Sequence, residues 1–286
     1  MVALRAVKYS FLVLLLLLFF GFSADVVRLN PAQMVSLPYS FSILGWHVDN
    51  ILSKWTHRLM EAIPWTNDRA LDDKIIVTQY LRMGDEIVAL EAQIRRYAAA
   101  NRDLEGSLLL SLNTELTDLK SSRRELRPDV EEVIESTISS ILGQEGIASW
   151  GELIFPPVDI RLEEPPMLLV TSPRDRIKRG PEVLLNHDVG LAARENMEAD
   201  LAVHWDLSAV VVEIGGLATF PTSVNNRQTL EGIFNSASHE WVHHYLVARL
   251  RPLGLNIYSS EEMLTLNETF ADIVGDEIGE RAVLLF

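Results

Sequence analysis

Two histidines and a glutamate near the end of the chain combine residue types that can hold a metal ion and activate a water molecule. His239 and His243 are four residues apart, so on an α-helix both imidazoles lie on one face and can share an ion. Glu240 projects about 100° further round such a helix, where it can reach a water on the ion without binding the ion itself. The segment His239-Glu240-Trp241-Val242-His243 therefore predicts metal-assisted hydrolysis.

The sequence around this motif predicts a helix from Leu230 to Leu250. Ile233 and Trp241 are among the apolar residues at helical spacing, Thr229 suits the N-cap, and Pro252 follows the expected end. A helix here is what would place the two imidazoles one above the other.

We expect a third ligand, Glu268, on a second helix. The sequence Ser259-Ser260-Glu261-Glu262 has the form of a capping box, which predicts that a helix starts there. The chain between His243 and Glu268 is long enough for a reversing loop, so two antiparallel helices can turn Glu268 toward the histidines. Asp272 lies one turn further on the same face, where its carboxylate can accept the free ring N–H of a ligand histidine.

These residues resemble the signature of the gluzincin metallopeptidases, the thermolysin-like clan. That signature is HExxH on one helix and often NExxxD on the next, and this chain has Asn267-Glu268-Thr269-Phe270-Ala271-Asp272 as the second part. The resemblance extends over roughly residues 205 to 280. It implies a peptidase that cleaves peptide bonds with metal-activated water. It also implies that His239, His243 and Glu268 bind Zn²⁺, that Glu240 is the general base and that Asp272 orients a ligand histidine.

The resemblance leaves two further parts of the site to be assigned. In such peptidases a strand beside the active-site helix pairs with the substrate backbone, and one strand of the segment 209–220 is our candidate. A His or Tyr from a later lobe usually stabilises the oxyanion, and Tyr245 and Tyr258 are the candidates here. Two alternatives stay open: a non-catalytic exported helical scaffold with a degenerate peptidase-like module, and a hydrolase of another amide.

Composition excludes several other classes of protein. The 286 residues carry a formal net charge of -15, which disfavours nucleic acid as a partner. The chain has no cysteine, so disulfides and thiolate metal sites are excluded, and a metal ion must be held by His, Asp or Glu.

The N-terminus predicts export. Arg5 and Lys8 precede an uncharged apolar run from Phe11 to Phe22, the pattern of a secretory signal. Residues 1–24 are therefore either a cleaved signal peptide or a membrane anchor. In both cases the rest of the chain is expected outside the cytoplasm, and an anchor would attach it to the cell membrane.

Residues 25–144 are predicted to be mainly helical. Tyr80, Ile87 and Ile94 recur at heptad spacing, and Leu112 and Leu119 resume that spacing after a shift in register near Gly106. The pattern fits either a stalk that forms a homodimer or an antiparallel helix pair within one chain. The sequence Arg127-Pro128 is expected to end this helix, and another is expected from Asp129 to Leu142.

Residues 145–286 are predicted to be a zincin-like domain with a small sheet and the two helices of the motif. Strands are expected at Val158 to Leu162 and Met167 to Thr171, a helix at Gly190 to His204, and a β-hairpin from Ala209 to Phe220 with a turn at Gly215-Gly216. The predicted class is α+β, mostly helical, with a signal or anchor at 1–24, a coiled-coil-like region at 25–144 and the metallopeptidase domain at 145–286.

Overall fold

The computed structural model describes residues 29–47, 50, 73–100, 106–150, 153–249 and 260–286. Their helices are α1 (Pro31–Ser36), α2 (Asp73–Ala100), α3 (Gly106–Gln144), α4 (Leu191–Trp205), α5 (Leu230–Arg249) and α6 (Glu261–Leu285). Their strands are β1 (Ala148–Trp150), β2 (Leu153–Ile154), β3 (Ile160–Glu163), β4 (Met167–Pro173), β5 (Glu182–Leu185), β6 (Leu207–Glu213), β7 (Gly216–Leu217) and β8 (Thr222–Asn225). The predicted α+β class with a majority of helix is confirmed.

The predicted signal or anchor at 1–24 lies outside the described residues. Among the helices that are described, none is both long enough and apolar enough to span a bilayer.

Helices α2 and α3 form an antiparallel hairpin within one chain. Gly84 of α2 faces Arg123 of α3, and further along α2 the carboxylate of Glu91 lies 2.7 Å from Nζ of Lys120. As α2 advances, its partners on α3 come earlier in the sequence, so the two helices run in opposite directions. The heptad pattern thus serves an intramolecular pair, and a homodimer through this segment stays a prediction.

The prediction that Arg127-Pro128 ends a helix is wrong, because α3 continues through Pro128 to Gln144. Proline lacks an N–H, so it cannot donate to the carbonyl four residues earlier, and it carries a steric cost of about 3 kcal/mol. Burial on the C-terminal side offsets that cost. Val130, Ile134 and Ile138 are at most 1% exposed, and their burial holds the helix in place beyond the proline.

The strands form two three-stranded sheets and a short pair. One sheet has the order β5-β4-β6, antiparallel throughout, and the other has the order β3-β8-β7, with β3 parallel and β7 antiparallel to β8. The predicted hairpin from Ala209 to Phe220 is therefore wrong, since β6 and β7 belong to different sheets. Gly215 and Gly216 carry the chain from one sheet to the other instead of closing a turn.

Two hydrophobic clusters form the core. The smaller cluster packs α1 and α4 against one face of the β5-β4-β6 sheet through Leu169, Leu185 and Leu201. The larger one joins the base of the α2-α3 hairpin to β3, β8, α5 and α6. Residues on both sides of position 145 share that larger cluster, and a domain boundary there stays a prediction.

Two buried glutamates of α3 fasten that helix to strand β3. Oε1 of Glu135 accepts from the backbone N–H of Ile160 at 2.8 Å, and Oε1 of Glu131 accepts from that of Leu162 at 2.7 Å. These N–H groups lie at the edge of the sheet and would otherwise be buried without acceptors, which costs about 1–3 kcal/mol each. The glutamates therefore fix the sheet relative to the helices that carry the motif.

Candidate metal centre

Helices α5 and α6 position the residues of the motif, and both start where their caps predict. The hydroxyl of Thr229 accepts from the backbone N–H of Gly232, and the hydroxyl of Ser260 accepts from that of Met263. One face of α5 is buried through Ile233, Ala237 and Trp241, with the indole N–H of Trp241 donating to the carbonyl of Pro156. The predicted helix from Leu230 is confirmed, and burial of its apolar face turns His239 and His243 toward α6.

Two glycines of α6 let the helices approach closely. A Cβ atom on Gly275 would lie 3.0 to 3.1 Å from N, Cα and Cβ of His239, and one on Gly279 would overlap Oδ1 of Asn235. Ordinary carbon contacts are about 3.5–4.0 Å, so neither position has room for a side chain without a shift. The absence of side chains on this face brings the backbone of α6 against the backbone that carries His239.

The side chains of His239, His243 and Glu268 converge. The two Nε2 atoms are 3.1 Å apart, and Oε2 of Glu268 lies 3.5 Å from Nε2 of His239 and 3.7 Å from Nε2 of His243. Tetrahedral zinc with bonds of about 2.0–2.1 Å would have ligand atoms about 3.3 Å apart. Within the described part of the chain, this is the group of three ligand atoms that could hold a metal ion.

The outward-facing nitrogen of each imidazole has its own acceptor. Nδ1 of His239 lies 3.0 Å from Oδ1 of Asp272, and Nδ1 of His243 lies 2.8 Å from Oδ1 of Asn267. These acceptors keep a proton on Nδ1 and direct the Nε2 lone pairs toward each other. Two lone pairs at 3.1 Å repel unless a proton or a cation lies between them. The donor set and its hydrogen bonds therefore fit a metal ion.

Glu240 lies beside this cluster, against the edge strand β7. A Cβ atom on Gly216 would be 2.9 Å from Cγ and 3.0 Å from Oε1 of Glu240, so the glycine leaves the space that the carboxylate uses. Burial raises the pKa of Glu240 to about 7; His239 opposes this and the negative charge of Glu268 adds to it. A carboxyl group with such a pKa can gain and lose a proton near neutrality.

The pKa values of the two histidines shift in opposite directions. Burial opposes ionisation of His239, but the hydrogen bond to Glu268 and the nearby carboxylates outweigh it and raise its pKa. Burial lowers the pKa of His243. The hydrogen bond from His239 lowers the pKa of Glu268. Protonation of His239 is thus favoured over protonation of His243.

Two neighbours of the site were not assigned by sequence reasoning. Asn267 is 3% exposed and holds His243, although in the sequence it stands only as the first letter of the NExxxD pattern. His244 points away from the cluster, and its ring lies beside the backbone of Ala218 and Thr219 just after β7. It therefore links α5 to the strand beside Glu240.

Of the two candidates for oxyanion stabilisation, Tyr245 is not brought to the site. Tyr245 packs against Trp241 with ring centroids 5.2 Å apart, on the core side of α5. The helix turns about 200° between His243 and Tyr245, which explains why they face different ways. Tyr258 lies outside the described residues.

The chain matches no family model, and comparison with curated proteins and with solved structures gives no significant match.

Proposed function

We propose that this chain is a zinc-dependent peptidase of the gluzincin type, exported or anchored to the membrane by its N-terminal segment. The ligands would be His239, His243 and Glu268, and the general base would be Glu240. The observation that carries the proposal is the convergence of two Nε2 atoms and one carboxylate oxygen at 3.1 to 3.7 Å.

The chemistry divides between the ion and the chain. A zinc ion in this group would supply Lewis-acid activation of water and of the substrate carbonyl. Glu240 then takes a proton from the attacking water and returns it to the leaving amine, a role that suits a carboxyl group with a pKa near neutrality. Asp272 and Asn267 hold the two imidazoles in one tautomer and one orientation throughout.

The surroundings of Glu240 suit an extended polypeptide. Strand β7 pairs with β8 on one side and contacts α5. Two cavities of about 380 and 350 Å³ lie on either side of Glu240, and Gly216 of β7 lines both. The first is bordered by Asp272 and Asp276, and the second by apolar side chains that include Leu168 and Val247. A peptide paired with β7 would run from one cavity to the other with its backbone over Glu240.

Metal analysis of the purified chain is the first test. We expect about one zinc per chain, and loss of that zinc in His239→Ala, because the two remaining ligands, His243 and Glu268, do not replace three that converge. A wild-type protein that takes up no zinc from a metal-buffered solution would contradict the proposal.

The second test separates catalysis from metal binding. Glu240→Gln keeps the shape of the side chain but cannot accept a proton, so we expect cleavage of a fluorogenic peptide library to slow by at least about a hundredfold. Zinc content should stay unchanged. Glu231→Gln, an exposed carboxylate in the first turn of the same helix, is the matched control and should retain full activity. Equal activity in the two variants would remove Glu240 from the mechanism. Zinc binding without cleavage in the wild type would favour the non-catalytic scaffold.

A further inference from the structure

A separate cavity, of about 390 Å³, lies between the base of the α2-α3 hairpin and the β3-β8-β7 sheet. It shares no lining residue with the two cavities beside Glu240. Its volume falls in the range of small-molecule sites. Three arginines from α3, Arg123, Arg124 and Arg127, border it, in a chain whose net charge is -15.

Arg123 forms a fixed wall of this cavity. Its Nε donates to the carbonyl of Tyr80 at 3.1 Å, its Nη2 donates to that of Asn226, and its guanidinium lies 4.2 Å from the centre of the Tyr80 ring. A Cβ atom on Gly84 would be 2.7 Å from Nη2, so the glycine in the middle of α2 is what lets the guanidinium pass. This cation is held in place by the fold itself.

Arg124 and Arg127 have donors that the rest of the described chain does not use. Neither makes a hydrogen bond with a described residue, and Nε of Arg127 is buried with no hydrogen-bond partner. The nearest carboxylate to Arg127, that of Glu131, is 3.6 Å away and already accepts from Leu162. The side chain of Arg127 is only 20% exposed, and burial lowers its pKa. A partly buried guanidinium without hydrogen bonds is costly, and an oxyanion would offset that cost.

The remaining charges around the cavity are mostly paired. Lys120 and Arg227 both contact Glu91, and Arg227 also binds Glu164. Glu163 accepts from the indole of Trp46 and from Ser223, and burial raises its pKa. The cationic groups that lack hydrogen bonds to described residues are therefore Arg124 and Arg127 of α3.

Apolar side chains complete the cavity next to these arginines. Ile87, Val88 and the ring of Trp46 line it. A ligand that fits therefore has an anionic group and an apolar or aromatic part.

We propose that this cavity binds a small phosphate monoester, with the phosphate on the guanidinium groups of Arg124 and Arg127 beside Arg123. The organic part of the ester would lie against Ile87, Val88 and Trp46. Guanidinium groups bind phosphate oxygens in pairs through parallel N–H donors, which is why arginine suits this ligand better than lysine. A free metabolite and the headgroup of an anionic phospholipid present the same chemistry.

Titration calorimetry of the full chain with phenyl phosphate tests the site. We expect binding that is weaker for inorganic phosphate, and a loss of at least about tenfold in affinity for phenyl phosphate in the double variant Arg124→Gln, Arg127→Gln. Arg95→Gln, an exposed arginine on α2, is the matched control and should bind as the wild type does. Binding should also persist in His239→Ala, which separates this cavity from the metal centre. If the double variant does not fold by circular dichroism, each single variant should show a smaller loss.

Vesicles distinguish the two sources of the phosphate. Flotation with phosphatidylglycerol vesicles, compared with phosphatidylcholine vesicles, tests the lipid headgroup, and the soluble ester tests a free ligand. Binding of either probe that is lost in the double variant supports the phosphate site and identifies its source. Absence of binding to both probes, or binding that the double variant and Arg95→Gln retain equally, would overturn the proposal.

Discussion

Gly275→Ala should separate the two helices of the candidate metal centre by a small and calculable amount. The added methyl group would lie 3.0 to 3.1 Å from three atoms of His239, two of them backbone atoms. Since ordinary contacts begin near 3.5 Å, α6 must move away from α5 by a few tenths of an ångström. The gap between Oε2 of Glu268 and Nε2 of His239, now 3.5 Å, would widen by a similar amount.

Two opposing energies set the effect on stability. Alanine in place of glycine favours a helix by about 1 kcal/mol, whereas overpacking of a close contact costs about 1–3 kcal/mol. We expect a net loss of about 0–2 kcal/mol in the free energy of unfolding. Zinc ligands tolerate displacement of only about 0.5 Å, so we expect zinc affinity to fall by about tenfold.

Gly143→Ala is the matched control because that glycine is also helical and a Cβ atom there meets nothing within 4 Å. Alanine at 143 should raise stability by up to about 1 kcal/mol and leave zinc affinity unchanged. Urea unfolding of the chelator-treated proteins gives the stabilities, and competition with a chromophoric chelator gives the affinities. If Gly275→Ala proves as stable as Gly143→Ala and binds zinc as the wild type does, the close approach of α5 and α6 is not what positions the ligands.

Three further predictions test the supports of the site. Glu131→Ala should lower the free energy of unfolding, measured in urea, by about 3–4 kcal/mol, because it leaves the N–H of Leu162 without an acceptor and removes the carboxylate 3.6 Å from Arg161. A decrease of less than about 1 kcal/mol would contradict this. Asn267→Leu should weaken zinc binding by about 10–100-fold, because Nδ1 of His243 loses its acceptor. Asn267→Asp keeps an acceptor oxygen and should keep the zinc affinity of the wild type. Equal zinc affinities in the two variants would show that this hydrogen bond does not support zinc binding. Contact with His187 and the hydrogen bond from Arg227 lower the pKa of Glu164 from 4.5 to about 2, so Glu164 stabilises the fold above pH 4.5 and loses that effect as the pH falls toward 2. Glu164 is 36% exposed, so we expect a difference of about 1–2 kcal/mol between wild type and Glu164→Gln at pH 6 that shrinks toward pH 3; a difference that stays constant with pH would refute the assignment.

Most of the correct predictions about the site came from patterns among residues close together in the sequence. The i, i+4 spacing of His239 and His243, the cap Thr229 and the apolar face of α5 act within a few residues, and each is present as predicted. Helix α6 also starts at the predicted place, with Ser260 as its cap. The approach of Glu268 followed from chain length and antiparallel packing alone. The identity of the ion and the reaction stays a prediction.

The features that sequence reasoning missed depend on residues far apart in the chain. The break expected at Pro128 ignored the burial of Val130 and Ile134 against other elements. The hairpin expected around Gly215-Gly216 ignored the pairing of β6 with β4, which lies earlier in the chain. One sequence pattern could have predicted the close packing of α5 and α6. Small residues recur every four positions in α6, at Ala271, Gly275 and Gly279, and such spacing indicates a helix face against which another helix packs closely.

The edges of the two three-stranded sheets differ in how open they are to another molecule. The backbone of residues 39–41 bonds to β5, Glu198 accepts from Val211 of β6, and Glu131 and Glu135 occupy the outer side of β3. Unprotected strand edges are where proteins stick to one another and form fibrils. Among the described strands of these sheets, β7 is the edge without such a cover, and it is only two residues long and recessed beside α5. In these two sheets, pairing with another strand through an open edge is therefore limited to one short segment.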